Sequence, residues 1–478
     1  MDIKTRFGLL VCLMGLVVLS GCGFLWPENE SSDEAACDPG RTTCGDVCVD
    51  ISADIQNCGA CGNVCGSNAD CEDGVCTERE PCQPGECPSG QFCDASSGAC
   101  RVGCLSDSDC TGDRVCDVEA RQCVCDSGQH ACRDTMCCQV LDETVRQLTG
   151  VEYRSLDLAL GPDGRSHMVT QRAESNDVDY LVADTNDGYE AEPVALADTP
   201  EAIPGGQTLT VDASGRPHVA LLTVDTSELA TLQHATPDGD GWSIDRVATT
   251  SQGSAIPSIV APSAGSIALA YRSVGPDFSS FELLYFANDG GGWEGPRLHD
   301  DEFLGAPQLA VDREYSVKMA FWDDRTGSLS VVDPLEPNEG PTLNTGTIIR
   351  APSLAFDTDN HPHVVFWDME YQEVVYAAYD GDEWHTERIG EIRFGADPRL
   401  VLDSNDRPHV VYVHEASSEV IYTRRVDDAW RYALVGRTVE GNDISSDRWV
   451  DIAITDDDVV VLAYLEWDGA VAEMRLDP

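Results

Sequence analysis

The stretches VDASGRPHVALL (residues 211–222) and LDSNDRPHVVYVH (residues 402–414) share one pattern. An apolar strand ends at an Asp, a turn of small polar residues follows, and a β-branched strand begins at Pro-His. Working outward, the run before the turn returns as Leu158-Ala159-Leu160, Leu209-Thr210-Val211, Ile259-Val260-Ala261, Leu309-Ala310-Val311, Leu354-Ala355-Phe356, Leu400-Val401-Leu402 and Ile452-Ala453-Ile454. Seven copies, spaced roughly 45 to 52 residues apart, are a repeat architecture in which each unit buries its face against the next.

Within each copy, short Asp/Asn/Gly turns between alternating apolar runs predict hairpins. A third strand follows (ELLYFAN, EVVYAAYD, EVIYTRRV), and a fourth is opened by Tyr189, Trp242, Trp293, Trp384 or Trp430. Four antiparallel strands per repeat without helical periodicity predict an all-β fold, a seven-bladed β-propeller over 139–478. The fourth copy is the weakest, because residues 333 to 350 lack the aromatic start. The seventh runs out at Pro478 after three strands, so a strand from upstream has to complete it. Val140-Leu-Asp-Glu143-Thr-Val145 has the spacing of Trp384-His-Thr-Glu387-Arg-Ile389, which assigns closure to 139–146 and removes the exposed sheet edges.

The chain has 478 residues, 85 Asp and Glu against 30 Lys and Arg, and a formal net charge of −55. Phosphate polymers need a basic face, so nucleic acid is excluded as a partner, and an anionic bilayer surface falls on the same ground. Lys4 and Lys318 are the only lysines.

Lys4 and Arg6 precede an apolar run from Phe7 to Leu19, too short to span a bilayer. Residues 1–21 read as a signal peptide. Leu19-Ser20-Gly21-Cys22 resembles the lipobox of bacterial lipoproteins, which implies acylation of Cys22 and a membrane partner held through its lipid. Gly23 follows, so the resemblance implies sorting to the outer membrane, on its periplasmic face or at the cell surface. Residues 22–36 form a lipidated tether, of which 27–36, PENESSDEAA, are polar and acidic.

Residues 37–138 hold twenty further cysteines, and none follows. An even, dense set in an exported chain predicts a disulfide framework in place of a hydrophobic core, with connectivity open. Cys37, Cys44, Cys48, Cys58, Cys61, Cys65, Cys71 and Cys76 form one group (37–76). Its segment CGDVCVDISADIQNCGACGNVC resembles the Stig1-like repeat. Two four-cysteine units (82–123), Cys82, Cys87, Cys93 and Cys100, then Cys104, Cys110, Cys116 and Cys123, resemble EGF-like or Dickkopf-type modules. Cys125, Cys132, Cys137 and Cys138 end the region at 125–138. The competing reading is a zinc or redox site at Cys58-Gly-Ala-Cys61. Asp107-x-Asp109-x-Thr111-Gly112 starts like a calcium loop, but Val118 stands where the bidentate Glu belongs. No metal or cofactor is therefore expected.

The propeller is similar to the broad BNR or sialidase-like group, though it departs from that group's Ser-x-Asp-x-Gly box. Strand counting places Arg172, Arg272, Trp322-Asp323, Arg325, Trp367-Asp368 and His414 after second strands, where a propeller channel opens. Trp322 and Trp367 would stack on sugar rings there, and the arginines would pair with a carboxylate in bidentate geometry. The alternative is that the aromatics pack between blades and the arginines neutralise an acidic surface. His167, His218, His363 and His409 fall on the other face and read as structural. No nucleophile elbow, phosphate loop or HExxH motif is present, so no catalytic residue is assigned. These observations predict a binding module for a glycan or an envelope protein. The alternatives are a glycan-active hydrolase or lyase and a structural envelope component.

Overall fold

The computed structural model describes residues 41–44, 47–65 and 69–78, short strands between 91 and 148, and 150–477 with gaps in loops, among them 195–200, 225–229, 275–280, 324–325, 392–397, 415–417 and 439–448. The signal, Cys22, the tether, Cys37, Cys82, Cys87, Cys104, Cys110, Cys125, Cys132, the Asp107 loop and Arg325 lie outside the described residues. The chain divides into two compact units, Met1–Gly103 and Cys104–Pro478.

In the first unit, the hairpins Thr42–Cys44/Val47–Val49 and Ala69–Glu72/Val75–Glu78 are held by the disulfides Cys44–Cys61, Cys58–Cys71 and Cys65–Cys76. Cys48 is disulfide-bonded as well. Among the described residues of this unit the only buried apolar side chains are Cys58 and Cys71, bonded to each other, while Val47, Ile55, Val64 and Val75 are exposed. Beside that bridge the backbone of Gly59 meets Gly74 so closely that a Cβ on Gly59 would sit 2.3 Å from the Gly74 carbonyl oxygen. Both glycines have positive φ, so the close approach and the turn geometry require the same residue type.

The second unit contains the seven-bladed β-propeller. Blade one is Tyr153–Leu160, Ser166–Arg172, Val178–Ala183 and Tyr189–Pro193. Blade two is Glu201–Val211, Pro217–Val224, Ala230–Asp238 and Gly241–Thr250. Blade three is Ser258–Ser263, Ser266–Val274, Phe281–Asn288 and Arg297–Asp301, and blade four is Gln308–Val311, Val317–Asp323, Ser328–Val332 and the three-residue Thr342–Asn344. Blade five is Ile349–Phe356, Pro362–Asp368, Glu373–Tyr379 and Trp384–Glu391. Blade six is Arg399–Leu402, Pro408–His414, Glu419–Val426 and Ala429–Arg437. Blade seven is Val450–Ile454, Val460–Leu465 and Val471–Leu476. The first strands touch one another in sequence around a closed ring, blade seven meeting blade one.

Blade seven is completed by Arg146–Leu148, antiparallel to Val471–Leu476. Of the stretch 139–146 picked by spacing, Gln139 and Val140 instead pair in parallel with Ala433 and Leu434, on the outer edge of blade six. Gln129–Ala131 extends that sheet to six strands. Edge pairing depends on which backbone groups are left open once the ring has formed, so the match to Trp384-x-x-Glu387 carried no information about partner. Glu143 and Val145 lie outside the described residues. At the seam, Arg146, Arg475 and the Tyr189 hydroxyl converge on buried Glu473 (3.7, 3.0 and 2.5 Å).

The core lies between blades. Leu156, Met168 and Leu181 of blade one pack with Leu462, Ala463 and Val471 of blade seven, and comparable clusters join the other blades. Each fully buried Leu contributes about 1.5–3 kcal/mol of transfer free energy. The aromatics that open fourth strands reach back to the preceding blade. Trp242 meets Tyr180, Trp293 meets His234 and Trp430 meets Tyr376 edge-on, with ring centroids 5.3, 5.2 and 5.3 Å apart. Such pairs add about 0.5–1.5 kcal/mol each beyond area burial.

Candidate functional site

The turn between first and second strands is built the same way in most blades. Asp212, Asp312 and Asp403 accept backbone N–H bonds from residues two and four further on, at 2.8–3.0 Å. Asp357 accepts from the fourth residue on, His361, at 2.6 Å. The position before the second strand has positive φ in all seven blades: Gly164, Gly215, Gly265, Tyr315, Asn360, Asp406 and Asp458. Gly enters that region freely and Asn or Asp tolerates it, whereas a bulky side chain costs about 1–2 kcal/mol. Tyr315, at φ 62°, is the exception to the pattern.

Neighbouring turns are tied together. The Arg313 N–H donates to Asn360 Oδ1 (3.0 Å), the Thr358 N–H to Asp406 (2.8 Å) and the Ser404 N–H to Asp458 (2.7 Å). Asp312 also receives the Lys318 ammonium at 3.8 Å.

Behind the turns of blades one, two, five and six stands a buried histidine. The Nδ1 atoms of His363 and His409 share hydrogen bonds with Tyr376 and Tyr422 hydroxyls (2.5 and 2.6 Å), and His167 bonds Tyr180 in the same way. His218 stacks on His234 with ring nitrogens 3.0 Å apart. On their other side His218, His363 and His409 face the turn aspartates at 3.5 Å. Burial lowers the pKa of all five histidines, that of His234 to about 3. Burial alone would raise the Asp212 pKa, but bonds from Ser214, Arg216 and His218 outweigh it and hold the carboxyl at about 2. These groups are structural parts of the turns in those four blades.

On this turn side the channel widens into a cavity of about 440 Å3. Its wall is made by the ends of the first strands of blades four to seven, with the half-buried Ala310, Ala355, Val401 and Ile454. Asp312, Arg313 and Tyr315 stand at its rim. Tyr315 is 76% exposed.

The residues expected on the opposite face are placed differently from a shared ring of ligand contacts. Trp322 belongs to the core between blades four and five, and Trp367 is buried; at 6% and 8% exposure neither ring offers a stacking face. Trp322 thus packs between blades. Arg172 is held bidentate by Asp179 of its own blade (2.7 and 3.0 Å), which also accepts the Tyr153 hydroxyl. Burial, then the Asp179 charge, pushes Tyr153 up to about 12. Asp368 caps its own loop, accepting from the N–H groups of Glu370 and Tyr371 and from the Thr347 hydroxyl. Burial, then the charge of Arg350, lowers the pKa of Arg272. Asp323 is buried and its carbonyl accepts from the Thr326 hydroxyl; His414 ends the second strand of blade six.

A buried polar ring near the start of the first strands was not read from the sequence. Asp157, Ser258, Ser353 and Asp451 each accept the backbone N–H of a Leu in the next blade (Leu209, Leu309, Leu400 and Leu158) at 2.7–3.1 Å. A polar residue just before each apolar triplet is its only linear trace. Tyr315 was also missed, although aligning the seven turns exposes it.

In the first unit, Cys58 and Cys61 bond to Cys71 and Cys44, so the C-x-x-C pair is divided between two bridges. The sulfurs of Cys58, Cys65 and Cys76 lie within 4.8 Å of one another, but all three are spent in disulfides and present no thiolate to a cation. Residues 27–79 match the Stigma-specific STIG1-like protein family. Among curated proteins none matches the chain. Similar solved structures include an α-L-arabinofuranosidase of Fusarium graminearum in complex with an iminosugar inhibitor, at 10% identity and TM-score 0.43, covering 70% of this chain and 96% of that one. AofleA from Arthrobotrys oligospora is 12% identical at TM-score 0.41, covering 63% and 91%. The Aleuria aurantia lectin is 12% identical at TM-score 0.40, covering 61% and 97%. At these identities the likeness concerns the fold alone.

Proposed function

We propose that this chain is an exported, lipid-anchored binding protein of the outer membrane whose propeller takes a glycan at the turn-side mouth of its channel. The cavity of about 440 Å3 carries the reading, since it falls in the size range of small-ligand pockets and combines an apolar wall with polar groups at one rim. A sugar has that same division, apolar C–H faces and hydroxyl edges. Asp312 is spent inside its turn, so the rim's polar contribution is the Arg313 guanidinium and the hydroxyl of exposed Tyr315, both able to hydrogen-bond sugar hydroxyls. The net charge of −55 disfavours polyanions.

The anchor rests on Cys22 within its lipobox-like context, and the acidic tether would hold the folded units away from the bilayer. Full-length protein incubated with immobilised neutral polysaccharides and with envelope extracts tests the binding. Retention on a polysaccharide is expected, and capture by envelope protein alone would replace the glycan with a protein partner. Cys22→Ser should release the protein from membranes; continued membrane association would remove the anchor.

A further inference from the structure

We infer that Tyr315 is the recognition residue of the channel-mouth cavity, its ring the platform for the apolar face of a sugar in a neutral glycan. The inference rests on the glycan reading of that cavity and adds the contact and its orientation.

Seven equivalent turns allow an internal comparison. Six place Gly, Asn or Asp at the left-handed position, and blade four places a tyrosine there. Nothing in folding calls for it. The ring is 76% exposed, and among the described residues its hydroxyl makes no hydrogen bond and its ring no aromatic contact. A bulky residue kept in an unfavourable conformation without a packing return is what a binding site retains and a scaffold discards.

The same turn is held firmly. Asp312 accepts from Glu314 and Ser316, the Tyr315 N–H donates to the Asp312 carbonyl at 3.1 Å, and Arg313 is bonded across to Asn360 and to the Asp357 carbonyl of blade five. An aromatic side chain on a rigid turn loses little freedom on stacking.

The test uses the full chain and its Tyr315→Gly and Tyr315→Trp variants on an array of neutral oligosaccharides, with heparin and oligo-lysine as charged arms, and a thermal melt of each variant. Tyr315→Gly should lower oligosaccharide affinity about two- to tenfold, the value of one aromatic stacking contact. Its melting midpoint should stay level or rise by about a degree or two, as backbone strain is relieved. Tyr315→Trp should keep binding. Equal oligosaccharide binding by Tyr315→Gly and the parent overturns the role of Tyr315 and leaves the glycan reading standing. A fall in the melting midpoint of Tyr315→Gly makes the ring structural and also overturns it. No retention of any neutral oligosaccharide by the parent overturns both. Retention of oligo-lysine alone, lost in Tyr315→Gly, overturns the sugar and makes the mouth a site for cationic peptide.

Discussion

The unit around Cys44–Cys76 and the propeller solve the same stability problem by opposite means. In the first, the only buried apolar side chains among the described residues are two cysteines joined to each other. In the second, apolar side chains of adjacent blades fill every interface, and no cysteine follows Cys138. Roughly forty residues cannot bury enough surface to offset chain entropy, so covalent links restrict the unfolded state instead. Some three hundred residues can, and there non-covalent packing suffices.

The largest expected effect breaks this contrast directly. Bridges with sequence separations of 17, 13 and 11 residues each contribute about 3 kcal/mol, so a reductant should unfold residues 41–78 entirely. Limited proteolysis under dithiothreitol should cleave that unit and leave 150–477 resistant; equal loss of both would show that the propeller too depends on its cysteine-bearing neighbours. Next, Leu462→Ala, at a fully buried position between blades seven and one, should cost the propeller about 2–5 kcal/mol in urea unfolding. Protease resistance of the first unit should not change.

Acid sharpens the comparison further, because residues 1–103 contain no histidine. In the propeller, five histidines have folded pKa values below the ordinary 6.5. The unfolded chain then binds more protons once the pH falls below about 6.5, so the stabilisation is complete above that value and is lost as pH falls toward about 3. Melting midpoints of the propeller should drop steadily between pH 7 and 4, and a flat profile would refute the buried neutral histidines. The smallest effect concerns a single turn. Asp403→Ala removes bonds to the Asn405 and Arg407 N–H groups and the Arg407 side chain, and should cost about 1–2 kcal/mol, read as a lower urea midpoint.

The repeat was legible because hairpin turns are local. An Asp, a residue tolerant of positive φ and a Pro-His start lie within seven positions of one another, and their hydrogen bonds close inside that span. The structural reading of His167, His218, His363 and His409 followed from the same spacing. Placement of the binding face was less legible. Trp322 and Trp367 sit at the expected strand ends, but whether an aromatic at a blade end faces solvent or the next sheet depends on a neighbour that the repeat itself does not name.

Linear order alone dictates the seven-fold period, the alternation that makes every repeat a four-stranded sheet, the division into a cysteine-rich stretch and a cysteine-free one, and the excess negative charge. The folded chain had to decide the rest: that Cys58 takes Cys71 and leaves Cys61 to Cys44, that Arg146–Leu148 seals the ring, and that Tyr315 stands at the mouth of a cavity. The first set depends on residues a few positions apart. The second depends on groups brought together from far along the chain, up to about three hundred residues at the seam, where contact is a property of the closed ring and not of any segment within it.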